Sequence, residues 1–332
     1  IGLTIKWDNE FIRYEDKPKT IMQLTQFEAL NLFNECLNSV ENSKPDRNED
    51  LKRWRKWKRL NQRLQTVAAI INLELKDWYF EADQEKLLSK PLAAKYHFKR
   101  LFNKAKKIIL MSATIKPGIA EKLGIERKEY DYYEVANPWP SPMRLVHDLN
   151  CPRMNFSCPD EDKDLQALKI ASVLKPDKSG VIHVSSKAQA YDLSNRLFEL
   201  GCETWYPENG LGTDEQLREW YDARRPGLYC IAWSFHEGVD LGGDDICIVA
   251  KVPYKSISNN YERAVMDYDK VAYKQNAAYL IEQAAGRTRR GKKEHYGNSK
   301  QVYIADGSWV SLKSWLSKEF KKAIRRYNAS ME

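Results

Sequence analysis

Gln283-Ala284-Ala285-Gly286-Arg287-Thr288-Arg289-Arg290 carries the pattern Q-x-x-G-R-x-x-R at the end of a helical stretch. On a helix, Gln283, Arg287 and Arg290 stand at i, i+4 and i+7 and share one face, so their side chains reach one anion together. Two planar guanidiniums converging on a triphosphate neutralise charge that develops during phosphoryl transfer, the task of an arginine finger. Gly286 permits close backbone approach. The bland alternative is a solvated basic helix end.

Three further segments place small polar groups just past apolar runs. Ser112-Ala113-Thr114 follows Lys107-Ile108-Ile109-Leu110-Met111, and Ser185-Ser186 follows Gly180-Val181-Ile182-His183-Val184. Trp233-Ser234-Phe235-His236-Glu237-Gly238-Val239-Asp240-Leu241 closes the run Leu228-Tyr229-Cys230-Ile231-Ala232. Hydroxyls and strand-end amides donate to phosphate oxygens without reading sequence. Caps and turns also favour serine, so each serine is as readily an ordinary cap.

These groups need a frame. The runs at 107–111, 180–184, 228–232, 246–250 and 301–305 alternate with helical segments, which predicts a parallel sheet covered on both faces. The fold class is therefore α/β, doubly wound, with ligands beyond the carboxyl ends of the strands. Upstream, Thr20 to Leu73 has helical spacing with a break at Ser43-Lys44-Pro45-Asp46-Arg47-Asn48, which reads as a helical hairpin. Its second helix carries Lys52-Arg53-Trp54-Arg55-Lys56-Trp57-Lys58-Arg59. That run could stack single-stranded bases. However, Leu51, Trp54, Trp57, Leu60, Leu64, Val67 and Ile71 recur every three or four residues, and a buried stripe is the stronger reading.

The 283–290 pattern resembles motif VI of superfamily 2 helicases, and the segments at 112, 180 and 233 resemble motifs III, IV and V in that order. The wording is most similar to the XPD/DinG branch, in Glu237-Gly238-Val239-Asp240-Leu241, Lys251-Val252-Pro253-Tyr254 and Leu88-Ser89-Lys90-Pro91-Leu92. The resemblance implies a RecA-like, P-loop NTPase-like second motor domain, preceded by a mainly helical accessory segment. It places an arch-like segment over 1–105 that returns to the first motor domain. The last strand of that domain and a crossover then occupy 106–140, and the second RecA-like domain occupies 141–332. By the same resemblance Arg287 and Arg290 are the finger pair, with Gln283 ordering the nucleotide. Glu237, Gly238, Asp240 and Gly286 meet the nucleotide, and Ser185, Ser186, Ser234, Ser112 and Thr114 meet single-stranded DNA. ATP and Mg²⁺ are the implied cofactors, with movement from 5′ to 3′.

Departures from the family pattern matter equally. No G-x-x-x-x-G-K-[ST] occurs, so the cradle for the β- and γ-phosphates is absent. No Asp-Glu-x-His or Asp-Glu-Ala-Asp box occurs, and Asp214-Glu215-Gln216 lacks a preceding apolar strand. The start at Ile1 rather than at methionine suggests a longer parent. The expected partner is thus an N-terminal motor domain that holds Walker A, the acidic box, most of the Mg²⁺ site and any iron–sulfur cluster. Alone, the chain is expected to be inactive.

Composition is compatible with this. With 332 residues and 42% apolar content, one or two domains can be buried. The formal charge of +8 suits a polyanionic partner. Six cysteines show no CxxC pair and read as buried thiols with no metal assigned, although Cys151 and Cys158 are the one tempting pair. No run of about 18 uncharged apolar residues and no signal sequence occurs, so a cytoplasmic or nucleoid location without membrane contact is expected. Two other classes compete. A non-catalytic nucleic-acid-binding module or scaffold would lack an upstream P-loop, whereas a nucleotide enzyme unrelated to helicases is disfavoured by the lack of G-x-G-x-x-G after a strand.

Overall fold

The structure, a computed structural model, describes residues 3–6, 22–73, 75–83, 86–93, 106–111, 118–135, 145–206, 219–220, 222–233, 245–286 and 301–327, with 95, 98, 102 and 104. Two compact units form, one from 1–133 with 256–269 and the other from 134–255 with 270–332. The excursion 256–269 into the first unit has no signal in the sequence.

In the first unit, β1 (Leu3–Lys6), β2 (Met22–Gln23), α1 (Gln26–Asn42), α2 (Leu51–Leu73), β3 (Trp78–Ala82), β4 (Lys86–Pro91) and α3 (Ile119–Lys122) follow in order. The helical hairpin is present, but it packs beside a four-stranded antiparallel sheet of order β1-β4-β3-β2, where mainly helical structure is expected. A capping box starts α1: the Glu28 amide donates to Thr25 Oγ1 and the Thr25 amide to Glu28 Oε2. Its buried stripe Ala29, Leu32, Phe33, Cys36 and Val40 meets Trp57 and Leu64 of α2 and Trp78, Phe80 and Leu87 of the sheet. Trp57 Nε1 donates to the Val40 carbonyl at 2.6 Å, which satisfies the indole in the core. Leu51 departs from the expected stripe: it is exposed in the first turn of α2.

The expected strand at Lys107–Met111 does not form. These residues lie in irregular backbone, with Ile109 82% and Met111 87% exposed. An apolar run becomes a strand only beside a neighbour that completes its ladder, and no described strand pairs with it.

The second unit holds β5 (Val146–Asp148), α4 (Asp160–Ala171), β6 (Gly180–Val184), α5 (Lys187–Glu199), β7 (Thr204–Trp205), β8 (Tyr229–Trp233) and β9 (Ile246–Val249). After α6 (Asn260–Tyr268), which belongs to the first unit, come α7 (Lys270–Ala285), β10 (Gln301–Ile304), a 3-10 helix at Gly307–Trp315, α8 (Lys318–Ala323) and β11 (Ile324–Arg326). Among the described residues the sheet has seven strands in the order β11-β5-β10-β9-β6-β8-β7, every neighbouring pair parallel.

Alternation along β9 explains why its sequence is apolar throughout. Ile246 and Ile248 pack with Ala167, Ile170, Leu193 and Leu197 of α4 and α5. Cys247 and Val249 face Ala277, Ile281 and Ala284 of α7. Both faces are covered, so each full burial of a large aliphatic side chain contributes about 1.5–3 kcal/mol. Close packing also fixes Gly180, where an added Cβ would stand 2.0 Å from the Ile246 carbonyl oxygen.

Among the described residues no helix is long and apolar enough to cross a membrane.

Candidate functional site

β6 delivers Ser185 and Ser186 to the carboxyl edge of the sheet. Ser186 is extended (φ −156°, ψ 161°) and caps α5 by accepting from the Gln189 amide at 3.2 Å. Gln189 reaches back, and its Oε1 accepts from both the amide and the hydroxyl of Ser185 at 3.0 Å. Both serines and Lys187 are exposed, and the first turn of α5 contains no acidic residue. A helix start with exposed hydroxyls and a lysine favours an anion through its free amides and dipole. The serines therefore serve as cap residues and remain open to a phosphate.

The turns beside them are held by a residue the motif reading passes over. Asp306, 1% exposed, follows β10 and accepts at Oδ1 from the Met154 and Ser308 amides and at Oδ2 from the Val252 amide. Lys251 Nζ stands 3.9 Å from Oδ2. Burial pushes the Lys251 ammonium below its ordinary range, and Asp306 opposes that shift. Gln166 of α4 donates through Nε2 to the Ala250 and Ala305 carbonyls at 2.5 and 2.6 Å. Gly307 must be small here, because a Cβ would lie 2.5 Å from the Cys151 carbonyl oxygen. The turns after β5, β9 and β10 are thus one assembly, with Lys251 its cation. An Asp-Gly pair at the end of an apolar run was the available signal.

Gln283 and Gly286 stand elsewhere. Ala284, beside Gln283, receives the Cys247 thiol at its carbonyl, and Cys247 lies near the start of β9. The end of α7 therefore approaches the amino edge of the sheet, away from Ser185 and Ser186. Gln283 Oε1 is buried with no hydrogen-bond partner among the described residues. Around Gly286 no described atom lies within 4 Å of a built Cβ, which leaves room for close approach. Arg287, Arg290, Ser234, Glu237, Gly238, Asp240, Ser112 and Thr114 lie outside the described residues.

The cysteines are free thiols, and all but Cys202 are buried. Among the described residues no group of three His, Cys, Asp or Glu side chains could hold a metal ion.

No family model matches the chain, and no curated protein does either. Among solved structures, an XPD structure in its apo form matches at a TM-score of 0.53 and 15% identity, over 96% of this chain and 67% of that one. The parallel sheet of the second unit has the RecA-like fold. An XPD helicase structure matches at 0.49 and 15% identity, over 97% of this chain and 58% of the other. The C-terminal domain of the DEAD-box protein Dbp5 matches at 0.37 and 18% identity, over 55% of this chain and 88% of that domain. At these identities the likeness is one of fold. The RecA-like architecture accords with the XPD-type wording of the motifs.

Proposed function

We propose that this chain is the C-terminal part of an ATP-dependent DNA helicase, supplying arginine fingers and part of the single-strand track. One observation carries the reading: Q-x-x-G-R-x-x-R begins in the last turn of α7, a helix packed on an all-parallel RecA-like sheet. Arg287 and Arg290 neutralise transition-state charge on ATP, and Gln283 orders the nucleotide, with Glu237, Gly238, Asp240 and Gly286 beside it. Ser185, Ser186 and Ser234, with Ser112 and Thr114, donate to DNA phosphates. A partner motor domain supplies Walker A, the acidic box and most of the Mg²⁺ site.

The test uses the protein with both motor halves. Arg290→Ala should cut ATP turnover by roughly 10³-fold while nucleotide affinity largely survives. Arg290→Lys should also be defective, since an ammonium lacks the planar fork. Turnover within a few-fold of the parent sinks the finger assignment. A second reading, a non-catalytic nucleic-acid-binding module, draws on the absence of G-x-x-x-x-G-K-[ST] from these residues. It is separated by the same assay, because such a module hydrolyses no ATP in any combination.

A further inference from the structure

The motor reading leaves the solvent face of α2 without a task. Lys52, Arg55, Lys56, Arg59 and Arg63 recur at i, i+3, i+4, i+7 and i+11, which sets them in one stripe. All five are exposed, while Trp57 and Leu64 anchor the opposite face in the core. At 1.5 Å per residue the stripe runs about 16 Å along the helix. Leu51–Leu73 contains no acidic residue. Among the described residues, Lys52, Arg55, Arg59 and Arg63 meet no carboxylate. The nearest in sequence, Asp50, is used at the start of α2, where it accepts from the Arg53 amide at 2.8 Å.

This arrangement works against the helix. Lys52 with Lys56, Arg55 with Arg59 and Arg59 with Arg63 are like-charge pairs at i, i+4, each of which destabilises it. A helix selected only for stability would interleave glutamates. An exposed line of cations on a helix that contains no acidic residue of its own gains most from a polyanion whose own charges repeat along a line, because each contact releases condensed counterions. The tryptophans of the run do not offer a stacking platform. Trp57 is buried, and Trp54 is half-buried beneath Arg47 and Lys58, whose charged groups stand 5.1 and 5.0 Å from its ring. A membrane surface fits poorly, since an interfacial helix needs a free apolar face and this one is spent in the core.

We propose that the Lys52–Arg63 stripe of α2 docks the phosphate backbone of a nucleic acid, without reading its bases and apart from the RecA-like unit. The inference goes beyond the motor reading and does not depend on it.

The test is fluorescence anisotropy of labelled oligothymidylate with the intact chain over a salt series. Arg55→Gln, Arg59→Gln and Arg63→Gln combined should weaken binding about tenfold at low salt and lower the salt slope by about 2. Arg→Lys at the same three positions should restore both. Circular dichroism should show the Gln variant as well folded as the parent, because repulsion within α2 is relieved. Unchanged affinity and slope overturn the stripe, and they leave the motor reading to be decided by Arg290→Ala turnover. Polyglutamate bound as tightly as oligothymidylate also overturns it, in favour of an acidic protein.

Discussion

The Asp306 carboxylate accepts from the Val252 amide at 2.9 Å, and this bond joins the turn after β9 to the end of β10. With the Met154 and Ser308 amides on its other oxygen, three strand-end turns share one acceptor. Asp306→Ala leaves all three donors without it and should cost about 3–5 kcal/mol. Asp306→Asn keeps one carbonyl oxygen and should lose less. Urea midpoints at constant m-value measure both. An Ala variant as stable as the parent would mean that the turns hold themselves.

Ser186 allows the cap and the phosphate contact to be separated. Ser186→Ala removes the acceptor for the Gln189 amide and should cost about 1 kcal/mol. Ser186→Asp caps equally well and should preserve stability, yet its charge repels a phosphate. Affinity for single-stranded DNA should fall roughly three- to tenfold in the Asp variant. If DNA binding tracks stability instead, Ser186 is a cap and nothing more.

The buried thiols set an alkaline limit. Desolvation pushes the Cys36 and Cys151 thiols well above the ordinary thiol range, up to about 12. The folded chain then holds protons that the unfolded chain releases, so stability is complete below about pH 9 and falls as pH rises toward 12. Chemical denaturation between pH 8 and 11 should show that decline. At pH 8 a thiol reagent should modify Cys202 first, since the other five are buried. Rapid reaction of Cys36 or Cys151 in the folded protein would contradict their burial.

What could be read in advance follows from how local each signal is. Strands β6 and β9 are buried at every position, so their sequences are apolar throughout and announce themselves. β5, β7 and β11 have two or three residues each and offer no period to detect. β4 does alternate in burial, but Leu88 on its less buried face and Ser89 on its buried face hide the pattern. Lys107–Met111 fails in the opposite way: its composition suits a strand, and the deciding factor, a pairing neighbour, is not a property of the run. For Asp306 the Asp-Gly pair signals a turn but not its donors, the Val252 and Met154 amides, which lie 54 and 152 residues away in the chain. Only the Ser308 amide, which Asp306 caps, is local to it.

Strand β5 sits between β10 and β11, although it is the earliest strand of its sheet in the chain. During synthesis it leaves the ribosome some 150 residues before either neighbour exists, since its register pairs Val146 with Val302 and with Ile324. Until then both of its edges stay open. Pairings this distant close slowly and expose unsatisfied strand in the interval. The second unit therefore cannot complete its sheet until its last third is made, and the speed of translation there sets how long β5 stays unpaired.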